Sequence, residues 1–313
     1  MKKTTHDHAI TIDVKGLFVR IGGSEILKGV DFTLEENEAV GIVGESGSGK
    51  TMLVRSLIGL LPPGAKPSGN YKIDGAAWSL SATERQWQNV RGGGIGMVMQ
   101  DPFTALDPTK KCGRQIAAGV PKSKRATFSV TTALQEVGLP ENVSGRYPSQ
   151  LSGGQRQRVV IAAALATAPR LLIADEATTA LDVITQQEIL DLIDGIRRQR
   201  HMPLILITHN IRLAKQRTDR IFVMAEGNVA EAGATATVIA NPQNENTRNL
   251  LEADRFLQRS PYAPDGSGGE VILSAKGLSK KFGKIAALDD VNIEICAGEC
   301  VGVAGQSGSG SGW

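Results

Sequence analysis

Short apolar runs alternate with helix-periodic segments along most of this chain. Val40–Val43 is apolar and precedes a glycine-rich loop, and the stretch Lys50–Leu61 that follows has the pattern of a helix. Ile95–Met99, Leu171–Ala174 and Leu204–Ile207 are further short runs of the length and composition of buried strands. Ile189, Leu192, Ile193 and Ile196 repeat at i, i+3, i+4 and i+7, which predicts a helix between the last two strands. Strand, helix, strand in this order predicts an α/β fold built on a largely parallel sheet.

The pattern also repeats. A shift of 261 residues lays Gly277 on Gly16, Leu288 on Leu27, Val291 on Val30, Glu299 on Glu38 and Gly302 on Gly41 without a gap. The same register pairs the loop Gly44–Thr51, GESGSGKT, with Gly305–Gly312, GQSGSGSG. A register shared through strands, turn and loop predicts that the chain begins one domain twice. Between the copies lies RSPYAPDGSGGE, whose Pro, Gly and Ser content marks a linker. The expected plan is a complete domain over 1–258, a linker over 259–270, and a truncated start of a second domain over 271–313. Some 43 residues cannot close a core of their own, so this last part is expected to be poorly ordered. It is also expected to be inactive, with Ser311 and Gly312 where the first copy has Lys50 and Thr51.

Composition narrows the class. The 313 residues are 41% hydrophobic and 21% charged, with a net charge of +3. A mild charge whose densest basic run is Lys122, Lys124 and Arg125 argues against a nucleic-acid partner. Three scattered cysteines, Cys112, Cys296 and Cys300, fit a reducing compartment, and no second Cys or His pair completes a zinc site around Cys296 and Cys300. No apolar run reaches the 18–20 residues or so that cross a bilayer. The polar start MKKTTHDHAITID, with His6 and His8, does not read as a secretory signal. A role at a membrane would therefore come through docking on another chain.

Three strings carry chemistry. GESGSGKT fits G-x-x-x-x-G-K-[ST] between a strand and a helix. Gly44, Glu45, Ser46, Gly47, Ser48 and Gly49 would wrap phosphate oxygens with backbone N–H groups at a helix N-terminus. Lys50 would reach the β- and γ-phosphates of ATP, and the Thr51 hydroxyl would ligate Mg2+. LLIADE, Leu171–Glu176, ends an apolar strand in two carboxylates. Asp175 suits the Mg2+ shell, and Glu176 suits the base that polarises an attacking water. LSGGQ, Leu151–Gln155, opens a helix expected to begin near Gln155. Ser152, Gly153, Gly154 and Gln155 offer a second phosphate-binding surface, which makes sense as the completion of a site on a partner.

With these strings in this order, the chain resembles the nucleotide-binding subunits of ABC transporters. The resemblance implies a P-loop NTPase of ABC type, with an N-terminal antiparallel β subdomain, a parallel core and a helical signature subdomain. It implies that Gln100 is a Q-loop glutamine sensing Mg2+, that Asp182 in ALD is a D-loop aspartate, and that His209 after LILIT is a switch histidine for the γ-phosphate. It further implies two domains facing head to tail, with Lys50, Thr51, Gln100, Asp175, Glu176 and His209 acting in cis and Ser152, Gly154 and Asp182 acting in trans. QDPFTALDP, Gln100–Pro108, GLLPPGA and ANPQNENTRNLLEA are similar to segments of the peptide, opine and nickel uptake subfamily. That likeness implies an importer ATPase for peptides, nickel or metallophores on the cytoplasmic face of the membrane. Its partners would be permease subunits, a second ABC domain and, indirectly, a substrate-binding protein. A soluble assembly of the phosphonate-degrading kind and an inactive truncated ATPase are the alternatives. One departure concerns adenine: Phe282 holds the place of a stacking aromatic in the second copy, Ile21 holds it in the first, and Phe18 is the nearby substitute.

Overall fold

The structure is a computed structural model that describes residues 9–177, 181–258, 269–282 and 285–303. β1 (Ile12–Ile21) and β2 (Ser24–Leu34) form an antiparallel hairpin. β4 (Lys66–Ile73) pairs with the other side of β1, and β5 (Ala76–Ala77) closes the sheet in the order β2-β1-β4-β5. The hairpin turn is Gly22–Gly23, both at positive φ, which is the backbone a two-residue turn between twisted strands demands. The expected antiparallel β subdomain is thus present.

A second sheet has the order β10-β9-β3-β8-β7-β6. It contains β3 (Ala39–Val43), β6 (Ile95–Val98), β7 (Leu171–Asp175), β8 (Leu204–Thr208), β9 (Arg220–Ala225) and β10 (Asn228–Ala234). Every pairing is parallel except β9 with β10. All residues of β3 and β8 are buried, as expected of central parallel strands covered on both faces. The two faces feed different cores. Leu172 and Ala174 of β7 and Leu204 and Leu206 of β8 join one cluster, whereas Leu171, Ile173, Ile205 and Ile207 join the other. Period-two alternation sorts the residues, and burying each large side chain contributes about 1.5–3 kcal/mol.

The first cluster is roofed by helices α4 (Cys112–Ala118), α5 (Val130–Glu136), α6 (Gly153–Leu165) and α7 (Val183–Gln199), and α3 (Pro102–Ala105) lies against α6. The second joins the antiparallel sheet to α1 (Lys50–Leu57) and to Trp87 of α2 (Glu84–Gly94). A third and smaller cluster packs α8 (Ile211–Arg217), α9 (Thr235–Ala240) and α10 (Glu245–Gln258) on β9. The start of α10 is tied to β10. Glu231 accepts from the Gln243 and Asn244 backbone N–H groups and from the buried Thr247 hydroxyl at 2.9, 3.1 and 2.6 Å.

Two helix bounds differ from the sequence reading. The helix read over Lys50–Leu61 stops at Leu57, because Gly59 turns the chain at φ +64° and the Trp87 indole lies 2.1 Å from where a Cβ would sit. Arg91 donates to the Ile58 and Gly59 carbonyls at 2.9 and 3.0 Å, satisfying groups that helix continuation would have used. The helix read from near Gln155 begins at Gly153, where the Ser152 hydroxyl caps it by accepting from the Gln155 N–H.

The C-terminal copy contains β11 (Val271–Phe282) and β12 (Ile285–Cys296), paired antiparallel as a hairpin. The expectation of poor order over 271–313 therefore meets formed strands over most of 271–296, while 304–313, including the second glycine loop, lies outside the described residues. Of the linker expected over 259–270, residues 259–268 lie outside them as well. Among the described residues, no helix is long and apolar enough to cross a membrane.

Candidate nucleotide site

Parallel register brings the chemical residues together. Val43 at the end of β3 lies beside Thr208 at the end of β8, and Asp175 at the end of β7 lies beside Ile207. Val98 of β6 pairs with Ala174, which places Gln100 two residues beyond the end of β6 rather than at the strand terminus itself. The carboxyl ends of β6, β7, β8 and β3 thus deliver Gln100, Asp175 with Glu176, His209 and the glycine loop to one edge. This crevice is where open α/β sheets bind ligands.

The loop needs its glycines. A Cβ on Gly44, at φ +152°, would lie 2.2 Å from the Met224 carbonyl oxygen. One on Gly49, at φ +102°, would lie 2.9 Å from Leu27. Lys50 opens α1 and is buried. Its ammonium donates to the Gly44 and Glu45 carbonyls at 2.8 and 2.7 Å. Burial lowers the Lys50 pKa, against the pull of Glu176, Asp175 and Glu45. Thr51, one residue on, is exposed.

Glu176 sits in the left-handed region at φ +46°, and its backbone N–H donates to the Ile207 carbonyl at 3.0 Å. Its carboxylate is held from both sides. Gln100 Nε2 donates to Oε2 at 3.0 Å, and His209 Nδ1 lies 3.3 Å from Oε1. Burial, then the Glu176 charge, raises the Asp175 pKa, while Arg55 and Lys50 oppose the rise. A divalent cation would reverse that penalty. Mg2+ binds through few protein ligands plus phosphate oxygens, so Thr51, Asp175 and Gln100 suffice for it chemically. A loop of N–H groups around a buried ammonium suits the phosphates.

The remaining predicted residues stand elsewhere. Ser152 and Gln155 form a reciprocal capping box at the start of α6. Gly153 and Gly154 bring α6 onto Leu181 and Thr185, since a Cβ on Gly154 would lie 2.7 Å from the Thr185 methyl. Asp182 caps α7, accepting from the Thr185 N–H and hydroxyl at 3.0 and 2.8 Å. Neither the cavity beside Glu176 and His209 nor the one beside Glu45–Ser48 is lined by Ser152–Gln155 or Asp182. Phe18 covers Gly29, and its neighbours Leu17 and Val19 are buried, whereas Ile21 packs against the second core. The aromatic substitute considered from sequence thus lies apart from the face that Val19 and Ile21 share.

Some contributors went unread in the sequence. Gln186, one turn beyond Asp182, and Asn210 line a cavity of about 160 Å³ with Glu176 and His209. Arg217, at the end of α8, bonds Asp191 and Asp194 of α7 at 2.6 and 2.9 Å, and Arg197 bonds Asp194 at 3.1 Å. The i, i+3 spacing of Asp191, Asp194 and Arg197 was the available signal.

This is a P-loop nucleotide-binding core with an antiparallel β subdomain and a helical roof. The family model for ABC transporters matches residues 27–179. The peptidoglycan transport ATP-binding protein YejF of Agrobacterium fabrum is 38% identical, over 99% of this chain and 60% of its own length. The oligopeptide transport ATP-binding protein OppD of Bacillus subtilis is 39% identical, over 80% of this chain and 73% of its own length. Among solved structures, CbiO1 from Clostridium perfringens, described as part of the ABC transporter complex CbiONQ, matches with a TM-score of 0.65 at 27% identity, covering 82% of this chain and 96% of that one. The dimeric, post-hydrolysis ATP-binding cassette MJ0796 with ADP and Pi matches with a TM-score of 0.61 at 27% identity, covering 72% of this chain and 98% of that one. The chain belongs to the ABC transporter ATP-binding family. It spans about three-fifths of the YejF relative's length and nearly three-quarters of OppD's.

Proposed function

We propose that this protein binds and hydrolyses ATP to energise an importer of peptides, docked through permease subunits on the cytoplasmic face of a membrane. Glu176 carries the reading: it is a strand-end carboxylate held between Gln100 and His209 and next to Asp175. Glu176 takes the proton of the attacking water, and His209 and Gln100 keep the carboxylate aimed. Lys50 gives up its two carbonyl partners and turns to phosphate oxygens. Thr51, Asp175 and Gln100 would hold Mg2+, which would supply positive charge to the phosphates. Ser152–Gln155 and Asp182 complete the site of a facing domain, supplied by a second copy or a separate chain.

Peptide cargo is favoured over nickel or metallophores by the printed names of the relatives, which include dipeptide and oligopeptide transport proteins. The segment after Gln100 is the proposed permease contact. There Gln115 pins the 107–110 turn, accepting from the Asp107 N–H at 2.8 Å and donating to the Asp107 and Lys110 carbonyls at 2.9 and 2.8 Å.

The test is light scattering of Glu176→Gln with and without Mg-ATP, beside steady-state turnover of the unaltered protein. Turnover together with ATP-dependent pairing of the variant supports the reading. Absence of ATP turnover with the permease subunits present overturns it.

A further inference from the structure

Gln157 is the most anomalous buried group among the described residues. It lies in α6, four residues beyond Gly153 and three beyond Gly154, with an exposure of 0%. Neither its amide nitrogen nor its amide oxygen has a hydrogen-bond partner. An unpaired buried amide is costly, and folded proteins keep few of them. Further along the same helix, Val159, Val160, Ile161 and Ala162 join the apolar core.

Its position gives the anomaly a meaning. Helical spacing puts Gln157 on the face that Gly153 and Gly154 turn toward Leu181 and Thr185. That face abuts the start of α7, where Asp182 is the cap. Ser152, at the start of the same helix, is exposed. The flanking arginines are both engaged. Arg156 donates to the Pro148 carbonyl at 2.7 Å, and Arg158 donates to the Val137 carbonyl and the Glu188 carboxylate at 2.9 and 3.3 Å. The unsatisfied group therefore lies one turn into α6, on the helix face whose start abuts the α7 cap.

We propose that Gln157 is a positioning residue for these trans-acting surfaces, its amide acquiring partners only when α6 shifts against the start of α7 as two ATP-loaded domains close. The resting arrangement is destabilised by the orphan amide and the closed arrangement is not. Closure thus gains a differential contribution from a residue that touches no nucleotide. This inference rests on the ATP-driven pairing proposed above.

Two variants test it, Gln157→Leu and Gln157→Met, each alone and with Glu176→Gln. Removing the amide raises the melting temperature of the nucleotide-free protein by about 3 °C or more. The same change weakens Mg-ATP-driven pairing of the Glu176→Gln protein, and lowers kcat of the otherwise unaltered protein, by about tenfold, with nucleotide affinity of the monomer unchanged. Opposite signs in resting stability and closure are the signature, since a side chain that merely packs would lose both together. The melting arm needs no nucleotide. A fall in both variants means the amide is already satisfied at rest, by ordered water, and overturns the proposal. Unaltered pairing and kcat overturn it while leaving the ATPase reading intact. A Glu176→Gln protein that never pairs, beside an unaltered protein with no turnover, removes the ATPase reading and this inference together.

Discussion

The hairpins β1–β2 and β11–β12 have matching sequences and opposite surroundings. Six of the large apolar side chains exposed in the second copy, Val271, Leu273, Leu278, Val291, Val301 and Val303, correspond through the 261-residue shift to Ile10, Ile12, Leu17, Val30, Val40 and Ile42. Each of the latter is exposed by 2% or less, and the former by 39–68%. The strands pair in both places, because backbone hydrogen bonds need only each other. Burial needs the remainder of the domain: in the first copy α1, β3, β8 and β9 supply it. Alternating sequence thus encodes which face is to be covered, and the cover itself is encoded outside the hairpin, in part by β8 and β9 far along the chain.

Charge placed at the equivalent position of each hairpin should separate them most. Leu17→Asp buries a carboxylate in the second core and should cost more than about 4 kcal/mol, enough to leave much of the first domain unfolded. Leu278→Asp should alter urea stability of that domain by less than about 0.5 kcal/mol. Comparable losses in the two variants would mean that the hairpins share one cooperative core. Next in size is the loop that follows each hairpin. Lys50→Ala should lower ATP turnover by about a hundredfold, whereas Ser311→Lys should leave turnover where it was.

Burial of charge at the end of β7, in the first domain, gives a third test. The Asp175 pKa is raised in the folded protein, so its charged form opposes folding. Its contribution is favourable below the ordinary carboxylate range and is lost as pH rises through the shifted value. Asp175→Asn should therefore melt higher than the unaltered nucleotide-free protein at pH 7, and the advantage should vanish as pH falls below the ordinary range. The smallest effect tests the position where the copies differ most plainly: Ile21→Phe, which installs the second copy's residue in the first. It should tighten ATP binding by about 1 kcal/mol, near fivefold, if that place faces adenine. Titration calorimetry reads it directly.

What sequence reveals here depends on how local the cause is. β3, β7 and β8 were legible because strands covered on both faces are unbroken apolar runs, and the glycine loop because its chemistry is compressed into eight residues. The premature end of α1 was not. Gly59 and Pro62 hinted at it, but the reason lies in Trp87 and Arg91, some thirty residues on. The short helices α3, α4 and α5 carry too few turns for a periodic signal. Asp175 and Glu176 were readable from their strand end, whereas His209 was named only through the family resemblance. Their clustering with Gln100 follows from sheet order, which no spacing in the chain expresses.

The ion network of Arg217 has a mechanical side. α8 begins two residues after His209, and α7 is capped by Asp182. Arg217 clamps the far end of α8 to the middle of α7 through the buried Asp194 and the exposed Asp191, and leaving the largely buried Arg217 charge unpaired costs several kcal/mol. The two helices therefore behave as a single rocker arm. One tip carries the histidine beside this domain's own carboxylate, and the other carries Asp182, which the proposed function assigns to the site of a facing domain. Such an arm cannot tilt for one site without announcing it at the other.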